Sequence, residues 1–133
     1  MFRMRLPATP PSIAELRGAL RRWLEGFSVE AAEIFDVVLA CSEALTLVIE
    51  DAPRQVALVV DVEATIEDDV LTLTTRDYGL WHESHLTPDE DPLGVALMRS
   101  LMDSVELERH EDGQTITLAR RLTVTSAGRR ALL

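Results

Sequence analysis

A long apolar helix with one internal carboxylate constrains this chain more than any other stretch. Residues 39–52 read LACSEALTLVIEDA, and the apolar side chains recur at helical spacing and fill most faces of the helix. Such a helix is expected inside the core, where a carboxylate is costly unless it is paired, hydrated or facing a cleft. Glu43 therefore has two interpretations. It lies on a thin polar strip with Ser42, Thr46 and Glu50, or it faces a functional cleft.

The composition favours one domain and excludes two classes of binding. The chain has 133 residues, which suits one hydrophobic core, and its formal net charge is −10. Binding to nucleic acid or to anionic lipid needs a basic surface, so we expect neither. Cys41 is the single cysteine, and no apolar run approaches the roughly 20 residues that span a bilayer. With no apolar signal-peptide core at the N-terminus, these features predict a cytoplasmic protein.

The periodicity predicts the order strand, helix, helix, strand, strand, loop, helix, strand, strand. The predicted helices are residues 13–27 with Ser12 as N-cap, residues 28–51 capped by Ser28, and residues 93–102. The predicted strands are residues 2–6, 56–62, 70–75, 105–108 and 115–122. Helices grouped against such strands indicate an α+β fold, a two-layer sandwich of three helices on a mostly antiparallel mixed sheet. Residues 77–91 form a long acidic loop, which is a sign of function or mobility.

Four short segments stand in a specific order and spacing along this pattern. They are SEALT at residues 42–46, RDYG at residues 76–79, LGVALM at residues 93–98 with its continuation RSLMDSVEL, and DGQTITLARRL at residues 112–122. Together they resemble the anti-sigma-factor serine/threonine kinases of bacterial partner-switching systems, within the GHKL (histidine kinase-like) ATPase superfamily. In the order given, they are similar to the N-box helix, the adenine-binding D-x-G box, the box that closes the lid, and the Gly-x-Thr strand of that family.

The resemblance implies a role for several residues. It implies that residues 1–122 form the kinase-like domain and that residues 123–133 form a C-terminal tail. Glu43 matches the general base of the family, which makes it the predicted catalytic residue. The predicted cofactor-binding residues are Asp77 as acceptor for the adenine amine, Gly79 beside the ring, Gly94 from the phosphate loop, and Thr115 supporting Asp77.

Two departures from the family pattern concern the metal and the phosphates. The N-box has an asparagine four residues after the glutamate, and here that position is Leu47, which offers no oxygen to Mg²⁺. Asp51 is the only nearby replacement, and it lies about 6 Å further along the helix, so we assign no metal ligand. Three acids at residues 89–91 replace the glycine-rich approach to Gly94, and like charge at close range opposes phosphate binding.

These departures leave two functions to weigh. The first is an anti-sigma-factor-like regulator of transcription that binds a sigma factor or a STAS-type anti-anti-sigma protein, with nucleotide binding and kinase activity weakened or lost. The alternative is an active ATP-dependent protein serine kinase that phosphorylates such a STAS partner, using ATP or ADP with Mg²⁺. The resemblance also implies a homodimer formed through the first strand and first helices.

The loop offers one further constellation. His82, Glu83 and His85 have side chains of the kind that bind zinc. Adjacent residues of a flexible loop seldom all converge on one ion, so the sequence favours solvated residues over a metal site.

Overall fold

The structure is a computed structural model and describes residues 1–51, 58–78 and 93–123. Within these residues the helices are α1 (Pro11–Glu25), α2 (Ala31–Asp51) and α3 (Leu93–Leu101). The strands are β1 (Phe2–Pro7), β2 (Val59–Glu67), β3 (Val70–Asp77), β4 (Ser104–His110) and β5 (Gly113–Arg121). The elements follow the predicted order.

The strands form one sheet in the order β1-β2-β3-β5-β4. We predicted a mostly antiparallel mixed sheet, and every pairing among the described strands is antiparallel. Because side chains alternate along a strand, the register places one apolar set on a single face. That set is Leu6, Val60, Val62, Ala64, Leu71, Leu73, Ile116 and Leu118, all buried in one core with the helices. The three helices therefore cover one face of the sheet, and the predicted α+β sandwich is confirmed.

The strand predicted at residues 56–62 ended too early, as the turn between β2 and β3 shows. β2 continues to Glu67, which pairs with Val70, so the turn has only two residues. Asp68 and Asp69 fill it with φ values of 52° and 63°, the left-handed region that a type I′ hairpin requires. The poor strand formers among residues 63–67 hid this extension from the sequence pattern.

The predicted caps of the first two helices were wrong. α1 begins at Pro11, because a proline fits the first helical position, and Ser12 lies inside the first turn without capping it. Ser28 adopts a positive φ of 57° and precedes the start of α2. The carbonyl of Glu30 accepts the first hydrogen bonds of α2, from Glu33 and Ile34, so the helix begins at Ala31.

α2 is the central helix of the described core. Its buried side chains face the sheet and both other helices, as the apolar pattern predicts, and include Val37, Ala40, Cys41, Ala44, Leu45 and Val48. Burial raises the pKa of the Cys41 thiol to about 12. No helix among the described residues is both long enough and apolar enough to cross a membrane.

Candidate functional site

Glu43 lies in a cleft between α2 and α3. Residues at positions i, i+3, i+4 and i+7 share one face of a helix, and here that face opens toward the start of α3. The cavity has a volume of about 290 Å³, and its described lining consists of Glu43, Thr46, Leu47, Glu50, Leu93, Gly94 and Leu97. The structure thus places the predicted catalytic carboxylate in a cleft. It also puts Thr46 and Glu50 beside Glu43, whereas Ser42, the remaining member of the predicted polar strip, is buried at 1% exposure and accepts a hydrogen bond from Arg17.

Gly94 allows α3 to approach the Glu43 carboxylate closely. A Cβ atom on Gly94 would lie 3.0 Å from Oε2 of Glu43, tighter than ordinary contact. Two residues predicted for the site are therefore neighbours. A carboxylate beside the first turn of a helix is favoured by the helix dipole. Glu43 thus already supplies the negative charge that a phosphate would bring to this helix end.

The described lining of the cleft does not fit a magnesium-bound triphosphate. Leu47, one helical turn after Glu43, is only 4% exposed and lines the cleft at the position where the resemblance implies a metal ligand. Mg²⁺ takes oxygen ligands, which leucine lacks. The described lining holds two carboxylates, Glu43 and Glu50, and no Lys or Arg to neutralise phosphate.

The part of the chain that the structure describes contains no candidate metal site outside this cleft either. No group of three or more His, Cys, Asp or Glu side chains among those residues is arranged to hold an ion. The side chain of Asp51, the suggested replacement ligand, lies outside the described residues. The constellation of His82, Glu83 and His85 and the acids at residues 89–91 also lie outside them.

Asp77 ends β3 on the face of the sheet that the helices cover. Asp77 is fully buried, at 0% exposure, and its Oδ1 accepts a hydrogen bond of 3.1 Å from the backbone N–H of Gln114. Gly113 makes this approach possible, because a Cβ there would overlap the carbonyl oxygen of Asp77. Gly79, predicted to lie beside the adenine ring, is outside the described residues.

The structure does not bring Thr115 to Asp77. Thr115 pairs with Arg76 in β3 and with Glu108 in β4, so its side chain lies on the outer face of the sheet. The next position of the same register sets Gln114 opposite Asp77, on the covered face. Geometry thus gives the position beside Asp77 to Gln114 and not to the predicted Thr115, because a shift of one residue reverses the face.

Sequence reasoning missed Gln114, although a signal for it existed. Ile116 and Leu118 are the apolar residues of β5, and a period of two places Gln114 on their face. Gln114 is 1% exposed, and within the described structure neither atom of its side-chain amide has a hydrogen-bond partner. The hydroxyl of Thr75, two residues before Asp77 on the same face, is likewise buried without a partner there.

An ion-pair network on the outer face fixes the orientation of the end of β3. The guanidinium of Arg5 donates to both carboxylate oxygens of Asp61, at 2.7 and 3.0 Å, and the Tyr78 hydroxyl donates to Oδ2 at 2.7 Å. The Arg76 guanidinium lies 5.2 Å from the centroid of the Tyr78 ring. Because neighbouring residues alternate between faces, these contacts outside the sheet keep Asp77 directed inward.

Comparisons with known proteins place this chain in a family. A model of the histidine kinase-like ATPase domain matches residues 6–120. The crystal structure of the RsbU and RsbW domains of Rv1364c from Mycobacterium tuberculosis has a similar fold, with a TM-score of 0.70 at 24% sequence identity. The match covers 92% of this chain and 33% of that one, so this chain spans about a third of its length. No curated protein matches the sequence. Because the family model covers most of the chain, the chain belongs to the family of histidine kinase-like ATPase domains.

Proposed function

We propose that this chain is an anti-sigma-factor-like regulator of bacterial transcription that acts by binding proteins, with ATP-dependent phosphorylation weakened or lost. The observation that carries the proposal is the composition of the cleft between α2 and α3. Leu47 stands where the resemblance implies a metal ligand, and the described lining contains no Lys or Arg that would neutralise phosphates. Phosphoryl transfer depends on metal and charge neutralisation, so this cleft is a poor catalyst of it.

Two further observations support a role in partner switching. The motifs resemble the anti-sigma branch of the family, and the solved structure with a similar fold includes an RsbW domain. We propose a sigma factor, a STAS-type anti-anti-sigma protein, or both as partners in the cytoplasm. The net charge of −10 opposes binding to nucleic acid or to anionic membranes.

A homodimer is part of this proposal. β1 is an edge strand of the sheet and offers unpaired backbone groups to a second strand. Its Phe2 packs against Trp23 of α1, with ring centroids 5.7 Å apart, so strand and helix form one continuous surface. Light scattering coupled to size-exclusion chromatography is expected to give twice the monomer mass of 14.8 kDa.

The alternative is an active serine kinase. It is favoured by the retention of Glu43 beside Gly94 and of a buried carboxylate, Asp77, at the end of β3. It requires a metal ligand from outside the described residues.

The experiment compares partner binding with phosphate transfer. Purified sigma factors and STAS proteins from the same genome are titrated against the protein without nucleotide. Each STAS protein is also incubated with it, Mg²⁺ and radiolabelled ATP. We expect a stable complex with at least one partner and no labelled STAS protein. Labelling that disappears in Glu43→Gln would replace this proposal with the kinase, and absence of any complex would refute both partner classes.

A further inference from the structure

We propose that the groove between the end of α1 and the start of α2 is a docking site for residues 124–133 of the same chain. The groove has a volume of about 370 Å³, and its described lining consists of Arg21, Glu25, Val29, Ala31, Ile34 and Phe35. The docked segment reads VTSAGRRALL and lies outside the described residues. The inference goes beyond the proposed function, because it concerns a surface separate from the cleft that holds Glu43.

The groove offers apolar surface that the described structure leaves open to water. Val29 and Ile34 line it and are themselves buried, at 7% exposure each, whereas Phe35 beside them is 64% exposed. Removing such a large aromatic side chain from water is favourable, and a concave site lets a covering segment contact it from more than one side. A segment with apolar side chains therefore fits this groove.

The chain leaves the described fold beside this groove. The backbone N–H of Thr123 donates to both carboxylate oxygens of Glu33, at 2.9 and 3.1 Å. Glu33 immediately precedes Ile34 and Phe35 in α2. From Thr123 to Leu132 an extended chain spans up to about 30 Å, whereas a helix with its side chains is about 10–12 Å wide. The segment therefore reaches around the start of α2 with length to spare.

The composition of the segment complements the groove. It ends in Ala131, Leu132 and Leu133, which supply apolar side chains, and Arg129 and Arg130 give it two positive charges and no negative one in a chain of net charge −10.

The charges around the groove agree with that composition. Glu25 lines the groove and Glu30 precedes its Ala31, and both side chains are exposed. Arg21, the one basic residue of the described lining, stands one helical turn before Glu25. We infer that the leucines enter the groove while the two arginines of the segment face Glu25 and Glu30.

The cleft between α2 and α3 is a less suitable site for the same segment. It also combines carboxylates with apolar residues, but Glu43 lies ten residues after Glu33, about 15 Å further along α2. Docking there would close a longer loop, which costs more conformational entropy. The groove at the start of α2 is therefore the nearer apolar site.

Disulfide trapping in the full-length chain tests the location. Ala131→Cys is combined with Ala31→Cys in the groove, with Thr46→Cys in the other cleft, or with Thr117→Cys on the outer face of the sheet. Cys41 is buried and its raised pKa keeps it unreactive. Each rate of disulfide formation is divided by the rate at which the same cysteine reacts with a small disulfide reagent, because a helix N-terminus activates a thiol.

We expect the pair with Ala31→Cys to close within single molecules at least about ten-fold faster than either control, as burial of the leucines implies. Leu132→Ser combined with Leu133→Ser should remove this difference. Equal normalised rates for the three pairs would refute the inference, and so would a preference for Thr46→Cys. A disulfide that joins two molecules would make a second copy the occupant and would also overturn it.

Trypsin cleavage after Arg129 and Arg130 gives a second readout. Cleavage follows the population of the undocked segment when docking is fast. Phe35→Ala should therefore speed this cleavage by at least about five-fold, since it removes apolar contact area from the groove. Val59→Ala, which shortens an apolar side chain of 38% exposure in β2, is the matched control and should cleave as wild type does. If Phe35→Ala also cleaves as wild type does, the segment does not occupy this groove.

Discussion

At the end of β3, adjacent residues face opposite sides of the sheet and meet different environments. Asp77 is buried among the core side chains, whereas Tyr78 reaches Asp61 on the outer face. Hydrogen bonds from Arg5 and then from Tyr78 lower the pKa of Asp61 to about 2. The same pairing raises the pKa of Arg5 and of Tyr78. The network thus connects β1, β2 and the end of β3. Its strength depends on pH, because Asp61 must be ionised.

Asp61 should make the stability of the protein fall in acid. The pKa of Asp61 in the folded protein, about 2, is below its ordinary value of 3.8, so its stabilising effect is complete above pH 4 and is lost as the pH drops toward 2. Urea unfolding of wild type and Asp61→Asn should show a difference in unfolding free energy that is constant near neutral pH and shrinks through this window. A difference that stays the same at about pH 3 would contradict the assigned pairing.

The contrast between Thr115 and Gln114 shows what sequence reasoning resolves at this scale. The motif correctly brought the start of β5 to Asp77. The motif did not identify which residue of β5 lies on the same face as Asp77, because the family match pointed to Thr115. The alternation of Ile116 and Leu118 was the physical signal for Gln114. No sequence pattern indicates that a buried glutamine lacks partners, since that depends on atoms from several strands.

At the scale of elements, Gly113 and Gly18 have opposite effects on stability. Gly113 opens β5 with a φ of 150° and touches the backbone of Asp77, so no side chain fits there. Gly18 lies inside α1, where a Cβ would only meet the flexible end of Arg22 at 3.4 Å. The first therefore serves the contact between two strands, and the second only weakens a helix.

The two alanine substitutions should act in opposite directions. Gly113→Ala should lower the unfolding free energy by about 3 kcal/mol or more, through overlap and strain. Gly18→Ala should raise it by about 0.5–1 kcal/mol, because alanine loses less backbone entropy in a helix. Urea unfolding of both variants tests this, and a mild effect of Gly113→Ala would show that β5 does not pack on Asp77 in this way.

Arg120 joins elements that are far apart in the chain. Its guanidinium donates to the carboxylate of Asp36 in α2 and to the carbonyl of Leu101 at the end of α3, both at 3.0 Å. Glu33 lies 3.8 Å away and also accepts hydrogen bonds from the backbone N–H of Thr123. One side chain of β5 thus holds the start of α2 and the end of α3.

Loss of the Arg120 contacts should lower the free energy of unfolding. The Arg120 side chain is 19% exposed, so Arg120→Ala should cost about 2 kcal/mol, the scale of hydrogen bonds to charged groups. Arg121→Ala, on the exposed outer face, should change the unfolding free energy by less than about 0.5 kcal/mol. Equal effects of the two substitutions would show that Arg120 does not connect the helices.

The order and type of the elements could be predicted because periodicity decides them. The helical and alternating patterns gave all eight described elements in sequence. The first residues of α1 and α2 could not be predicted from Ser12 and Ser28, because prolines and a positive φ determine where those helices begin. The extension of β2 depended on pairing with β1 and β3, which local propensity does not contain.

At the scale of the whole molecule, Asp77 and the cleft that holds Glu43 belong to neighbouring elements of one fold. β3 ends at Asp77, and the next described element, α3, begins at Leu93, which lines the cleft together with Glu43. The end of β3 carries buried polar side chains, and the cleft has Leu47 where the resemblance implies a metal ligand. The family's fold is retained, and the proposed loss of phosphoryl transfer rests on the chemistry of this cleft.

Calorimetric titration of ATP with and without Mg²⁺ tests this central claim most directly, with Leu47→Asn beside the wild type. The cleft chemistry predicts that Mg²⁺ leaves the ATP affinity of the wild type unchanged, and that Leu47→Asn, by adding an amide oxygen one turn after Glu43, introduces a dependence on Mg²⁺. ATP binding by the wild type that becomes about ten-fold tighter or more with Mg²⁺ would contradict the account.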